Sequence, residues 1–191
     1  GQYSPTSEEG KVTKSTPMGS IDHPFNPLAV ALGAEASFVA RTHDLDRKHM
    51  MNTLRAAHGH RGASFVEILQ NCNVFNDGTF EGVLARTARE EMMIDLKHGE
   101  PIRFGVDGHC GVVMGSDGQL RIVEVADVGV EALLVHDAHR ADPGLAFSLA
   151  RLSHDNHSPT PFGIFRDVDR GDYGHMVGAQ LAAASEKKGA G

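Results

Sequence analysis

The sequence predicts an α/β chain built on a parallel sheet, with a smaller α+β extension after it. Three observations carry that expectation. Residues 63–69 are short and almost continuously apolar through Phe65, Val66, Ile68 and Leu69. A parallel strand buried on both faces has that texture. Helical signals stand on either side of this run, which gives the order of a βαβ unit. From Gly99 onward, short apolar runs separated by turn residues take over. The expected division is therefore residues 1–98 and residues 99–191.

The elements follow in order. Residues 1–27 are dense in Ser, Thr, Pro and Gly and predict a long ordered loop. Asn26 and Pro27 start a short helix as cap and first helical residue, and Gly33 closes it. Residues 37–41 read as a strand around Phe38 and Val39. Asp44 is a candidate cap for a helix to about Ala57, with Met50 and Met51 as core filling. Asn76, Asp77 and Gly78 make a turn, after which Thr79 would cap a helix reaching about Asp95. Residues 111–114 and 120–125 form a hairpin around Ser116, Asp117 and Gly118, and residues 130–135 are a further candidate strand. Asp142 and Pro143 open a helix to about Leu152. Pro159 and Pro161 punctuate, and residues 173–187 read as a last helix.

Composition narrows the class. The chain has 191 residues, 40% hydrophobic and 23% charged, and a net charge of −7. That is an ordinary globular balance, with no broad basic surface for nucleic acid. No apolar run approaches the ~18 residues of a membrane span. Cys72 and Cys110 are the two cysteines, too few for a disulfide framework. A reducing compartment, the cytoplasm, is the expectation. Residue 1 is Gly rather than Met, and the opening stretch reads as if cut from a longer chain.

The candidate chemistry centres on Cys72, immediately past the carboxyl end of the apolar run. Ligands of open α/β sheets gather at those ends. The alternative is a small half-buried packing residue. The hydroxyls of Ser4, Thr6 and Ser7 suit phosphate oxygens, although most such loops are merely solvated. Twelve histidines include the near pairs His58/His60, His136/His139 and His154/His157, none with established metal-ligand spacing. There is no Gly-x-Ser-x-Gly elbow and no Gly-x-Gly-x-x-Gly loop.

Several segments resemble the β subunit of 2-oxoacid:ferredoxin oxidoreductases, most of all the 2-oxoglutarate type. They are Gly1-Gln2-Tyr3-Ser4-Pro5-Thr6-Ser7, Pro27-Leu28-Ala29-Val30-Ala31-Leu32-Gly33-Ala34 and Phe38-Val39-Ala40-Arg41. Phe65-Val66-Glu67-Ile68-Leu69-Gln70-Asn71-Cys72 and Phe75-Asn76-Asp77-Gly78 add to them. The likeness continues through His98-Gly99-Glu100-Pro101-Ile102, Val135-His136-Asp137-Ala138 and Asp142-Pro143.

The resemblance implies part of a thiamine-diphosphate-binding fold with a parallel sheet, corresponding to the C-terminal portion of such a subunit. Gly1, Gln2, Ser4 and Thr6 would border the thiamine diphosphate and its Mg²⁺, whose main ligands the family carries upstream. Cys72 would be the last of four thiolates around a 4Fe–4S cluster. The other three are not in this sequence, and four thiolates are the usual requirement. The implied reaction is coenzyme A-dependent oxidative decarboxylation of a 2-oxoacid, with electrons passed to ferredoxin. An α subunit would be the partner and would hold the activating glutamate, so no catalytic acid or base is assigned in this chain. A non-catalytic binding domain with the same fold is the competing expectation. A His-rich metal-dependent hydrolase is a third.

Overall fold

The computed structural model describes residues 2–153 and 157–189. His154 and Gly1 lie outside the described residues.

Asn26 caps helix α1 (Pro27–Gly33) as its position before Pro27 requires. Its Oδ1 accepts from the Ala29 N–H at 2.9 Å, and its Nδ2 donates to the Ala150 carbonyl at 2.8 Å. One side chain thus starts α1 and ties it to α6 (Gly144–Ala150). Strand β1 (Phe38–His43) follows, and all six of its residues are buried. Helix α2 (Arg47–Gly59) is capped by Asp46, whose Oδ1 accepts from the His49 N–H at 2.9 Å. Asp44 does not play that part: it stands three residues before the helix begins, its N–H prolongs the strand pairing to the Leu69 carbonyl, and its Oδ1 accepts no bond among the described residues. Met51 and Leu54 are exposed on α2, and Thr53 is its buried residue. The methionine pair is therefore not core filling.

Strand β2 (Ser64–Leu69) pairs with β1 in parallel, in the register Phe38↔Ser64 to His43↔Leu69. It is an edge strand of the sheet order β2-β1-β7-β3, and no residue of it is fully buried. The expectation of burial on both faces is corrected: β1 has that environment, and β2 keeps a row of backbone groups and Ile68 open to solvent.

The long helix expected from Thr79 is also corrected. The Thr79 hydroxyl is buried without a partner, so it caps nothing. Two single turns, α3 (Glu81–Leu84) and α4 (Arg89–Met92), lead into strand β3 (Met93–Leu96). Ile94 and Leu96 are buried and Asp95 between them is exposed, the period-2 pattern of a strand. Its partner is β7 (Thr160–Asp167), where sequence reading saw only prolines punctuating a loop. Strand β7 runs parallel to β3 and antiparallel to β1. Proline inside a run argues against a central strand, yet Pro161 stands two residues before the pairing of β7 with β1 begins at Gly163.

A second sheet has the order β4-β5-β6, from β4 (Arg103–Phe104), β5 (Cys110–Met114) and β6 (Leu120–Glu124), with the expected hairpin between β5 and β6. A short turn, α5 (Val125–Val128), follows it. Residues 130–135 are not a strand: Val130–Ala132 is a 3-10 turn, and Val135 makes an isolated bridge to Pro101. Helix α6 is shorter than expected, and α7 (Tyr173–Lys188) lies where the sequence put it. Leu32, Val39, Ile102, Val112, Leu149 and Phe165 belong to one buried apolar cluster. That cluster and β7 both cross position 98.

Arg166 of β7 is 2% exposed. Its guanidinium donates to the Ala36 carbonyl at 2.8 Å and the Ala141 carbonyl at 2.7 Å, and reaches Glu35 Oε2 at 3.4 Å. The side chain holds the loop before β1 and the loop before α6 against the central strand. Arg166→Met would leave two inward carbonyls unpaired and cost about 2–5 kcal/mol. Arg170→Ala, which breaks an exposed contact to the same Glu35, would cost less than about 1 kcal/mol. Urea unfolding midpoints of the two variants check the contrast.

Candidate functional site

Strands β1 and β2 are parallel, so their carboxyl ends open on the same edge. Asp44 and Leu45 leave β1 there, and Asn71 and Cys72 leave β2. Asn71 braces the turn that follows: its Nδ2 donates to Asp77 Oδ1 at 2.8 Å and its Oδ1 accepts from the Gly78 N–H at 3.0 Å. Val83 and Leu84 of α3 pack on Phe162, with Leu69 and Phe80 against them, which seats the turn on the sheet. Between these parts lies a cleft of about 270 Å³ lined by Asp44, Leu45, Asn71, Phe80, Glu81 and Leu84, among others.

Cys72 stands exposed at the mouth of this edge. It pairs with Asn76 as an isolated bridge, the Asn76 N–H donating to its carbonyl at 2.8 Å. The backbone N–H groups of Phe75 and Val74, and more weakly that of Asn76, converge on the sulfur and hold its pKa below the ordinary thiol range. A turn of amides stabilises a thiolate as it would any small anion. Val74 and Phe75, which follow it in the turn, are themselves 74% and 75% exposed. Cys110 has the opposite setting. It is half-buried in β5, and burial, with Glu124 and Glu91 beside it, raises its pKa.

Several buried polar groups at or near the cleft, the Thr79 hydroxyl among them, have no partner among the described residues, and two stand at the end of β1. They are Asp44 Oδ1 and both ring nitrogens of His43. The His43 ring lies edge-on to Phe162 at 5.3 Å. Burial, then Arg89 and His49, push its pKa below the usual imidazole range. Sequence reading missed both residues; the only signal was a polar pair ending an apolar strand.

The opening loop is ordered by its own backbone bonds, among them Gly10 N–H to the Ser20 carbonyl at 2.8 Å and Phe25 N–H to the Pro5 carbonyl at 2.7 Å. The Ser4 hydroxyl meets Thr6 Oγ1 at 3.0 Å and Ser7 Oγ at 3.2 Å. Three hydroxyls are thus gathered at one exposed point, and Gln2 is exposed beside them. The Tyr3 hydroxyl donates to Asp22.

The histidine pairs do not assemble into metal sites among the described residues. His60 instead stands between Asp167 Oδ1, 2.8 Å from Nδ1, and Ser37 Oγ, 2.8 Å from Nε2. That is the order of a Ser–His–Asp relay, but Ser37 is 6% exposed. Gly62, at φ +135°, lies over the hydroxyl so closely that a Cβ there would be 2.7 Å from Oγ. No acyl group could approach. The relay joins the ends of β1, α2 and β7 and is structural. His136 donates Nε2–H to the Ile164 carbonyl at 2.8 Å, and His139 donates Nδ1–H to the Asp167 carbonyl at 2.6 Å.

By sequence and by fold the chain is similar to subunits of a class of oxidoreductases. It is 53% identical over 184 residues to the 2-oxoglutarate oxidoreductase subunit KorB of Mycobacterium tuberculosis, covering 96% of this chain and 49% of that subunit. It is 39% identical over 77 residues to the 2-oxoacid:ferredoxin oxidoreductase subunit beta of Saccharolobus solfataricus, covering 40% of this chain and 25% of that one. Among solved structures, a 2-oxoglutarate:ferredoxin oxidoreductase from Magnetococcus marinus, with 2-oxoglutarate, coenzyme A and succinyl-CoA bound, matches 98% of this chain and 47% of its own. The TM-score is 0.61 at 21% identity, a likeness of fold. No family model matches. The chain spans about half the length of the mycobacterial relative, and no helix among the described residues is long and apolar enough to cross a membrane.

Two outcomes are expected here. At neutral pH iodoacetamide will modify Cys72 well before Cys110, as mass mapping of the alkylated peptides will register. The second concerns pH. Burial lowers the pKa of His43, and also of His136, below the unfolded value of about 6.5. Above that pH neither residue contributes. Below it the unfolded chain takes up protons first, so stability falls. His109, exposed and with a raised pKa, opposes this weakly. Denaturant midpoints at about pH 7.5 and 5.5 will separate, and His43→Leu will narrow the gap.

Proposed function

We propose that this chain is part of the β subunit of a 2-oxoacid:ferredoxin oxidoreductase of the 2-oxoglutarate type, corresponding to its C-terminal portion, and that Cys72 is one thiolate of a 4Fe–4S cluster. The observation that carries the proposal is the exposed Cys72 sulfur in its turn of backbone N–H groups at the end of β2. An iron–sulfur ligand must be deprotonated and its potential is tuned by hydrogen bonds to sulfur. The N–H groups of this turn favour the first and offer donors for the second. The exposed side chains of Val74 and Phe75 in this turn would limit water at the cluster.

The hydroxyl group of the opening loop fits a diphosphate in kind. Ser4 and Thr6, with Gln2 and the Gly1 backbone, would border thiamine diphosphate and its Mg²⁺ as donors. When bound, that cofactor supplies the electron sink for decarboxylation. The residues of this chain orient it, exclude water and offer Cys72 as an electron outlet. The orphaned His43 and Asp44 support the reading, since buried polar groups without partners mark an edge that something else completes. In this reading the rest of the subunit and an α subunit complete it, coenzyme A and the 2-oxoacid are substrates, and ferredoxin is the electron acceptor. The compartment is the reducing cytoplasm.

Cys72→Ser in the full-length subunit will lower the iron content and bleach the brown charge-transfer absorbance, with far-ultraviolet dichroism preserved. Unchanged iron in that variant would falsify the ligand assignment.

A further inference from the structure

The second sheet carries a constellation that the proposed electron-transfer role does not use. Cys110 and Glu124 are directly paired across the β5–β6 ladder. Paired residues of an antiparallel ladder project to the same face, and Cys110 Sγ meets Glu124 Oε1 at 3.9 Å. His109 precedes Cys110, and its carbonyl accepts from the Val125 N–H at 2.7 Å, which closes the end of the ladder. A ring nitrogen of His109, the Cys110 sulfur and a Glu124 oxygen all lie within 4.8 Å of one another.

The supporting contacts are those of a ligand set. His109 Nδ1 lies 3.0 Å from the Val106 carbonyl. A carbonyl only accepts, so Nδ1 carries a proton, and in the neutral ring Nε2 is the nitrogen left to bind a metal. Such an outer bond is what orients metal-binding imidazoles. Nε2 in turn lies 3.6 Å from Glu91 Oε2. Glu91 is itself held, its Oε1 accepting from the Val106 N–H at 3.3 Å. Gly105 makes room for the ring: a Cβ there would sit 2.5 Å from the His109 Cε1 carbon and 2.6 Å from Nδ1. One loop residue, Val106, therefore aims a nitrogen and a carboxylate at each other through its two backbone groups.

We propose that His109, Cys110 and Glu124 bind a single divalent ion of the zinc class, with Glu91 or a water as the fourth ligand. The donor set selects the ion. One imidazole, one thiolate and one or two carboxylates suit borderline-soft zinc, whereas calcium and magnesium take oxygen shells. Tetrahedral zinc with bonds of about 2.0–2.3 Å places its ligands roughly 3.3–3.8 Å apart. The three groups need to close by about 1 Å, and the exposed Glu124 and His109 side chains have the freedom to do so. The ion would join the hairpin to α4 through Glu91, and no zinc-binding motif of the familiar spacings announces it.

The test uses the full-length subunit in its assembled complex, stripped with a chelator and dialysed against buffered zinc chloride. Zinc X-ray absorption reads zinc neighbours whatever iron is present, and the Cys110 variant assigns them to this site. The expected result is one zinc per chain, with one sulfur and otherwise nitrogen and oxygen neighbours. Cys110→Ser will remove the sulfur neighbour and weaken zinc binding by at least about tenfold. Glu124→Gln, at an exposed position that folding tolerates, will weaken it with the dichroism and iron content unchanged. Zinc held equally well by the His109→Ala/Cys110→Ser double variant would overturn the site. So would a shell without sulfur in the unaltered protein, or a sulfur neighbour that persists in Cys110→Ser.

Discussion

Everything in this fold rests on one strand from late in the chain filling a slot made early in it. Strand β7 lies between β1 and β3, antiparallel to one and parallel to the other. Without it β1 would be an open edge and β3 would pair with nothing. Long-range pairing of this kind closes a large loop before any ladder bond is gained, so side chains must favour it strongly. Phe162 and Phe165 supply apolar burial, and Arg166 supplies hydrogen bonds that loops on both sides cannot find elsewhere. The neighbouring Arg41 works in the same way from β1. It forms a 2.6 Å pair with Glu67 across the parallel register and lies 5.8 Å from the Phe165 ring centre. The sheet is thus fastened at its middle by two guanidinium groups.

That arrangement leaves the carboxyl edge of the parallel strands free. With β1 held on both faces, the carboxyl ends of β1 and β2 stay at a fixed separation, and the turn after β2 can project Cys72 outward. The two cysteines illustrate how far environment sets chemistry. One sits among backbone N–H groups in the open and is eased toward the thiolate. The other sits half-buried beside two carboxylates and is held as a thiol unless a cation joins it. A thiol count alone would have treated them alike.

Much of this was legible from residues. Asn26 before Pro27 placed α1, the apolar alternation around Ser116, Asp117 and Gly118 placed the hairpin, and the segment ending in Cys72 placed the thiol at the end of a strand. The errors share a cause. A helix from Thr79 to about Asp95 takes in most of β3, and Pro159 and Pro161 hide β7, because each of the two is a strand only by virtue of the other. Residues 63–69 have the texture of a strand buried on both faces, but texture reports only the environment a strand is suited to, whereas its neighbours decide whether it receives it.

The sequence by itself determined the local events: which residues cap helices, where the chain turns, and that a thiol follows the second parallel strand. Those depend on a few neighbouring residues and on backbone geometry. Only the tertiary structure decided that β7 joins the first sheet, that the His43 ring and Asp44 Oδ1 are buried without partners among the described residues, that Ser37, His60 and Asp167 form a closed structural relay, and that His109, Cys110 and Glu124 converge. Each of these joins residues far apart in the chain or depends on what is packed around them, and contacts between distant segments leave no periodic trace in a single sequence.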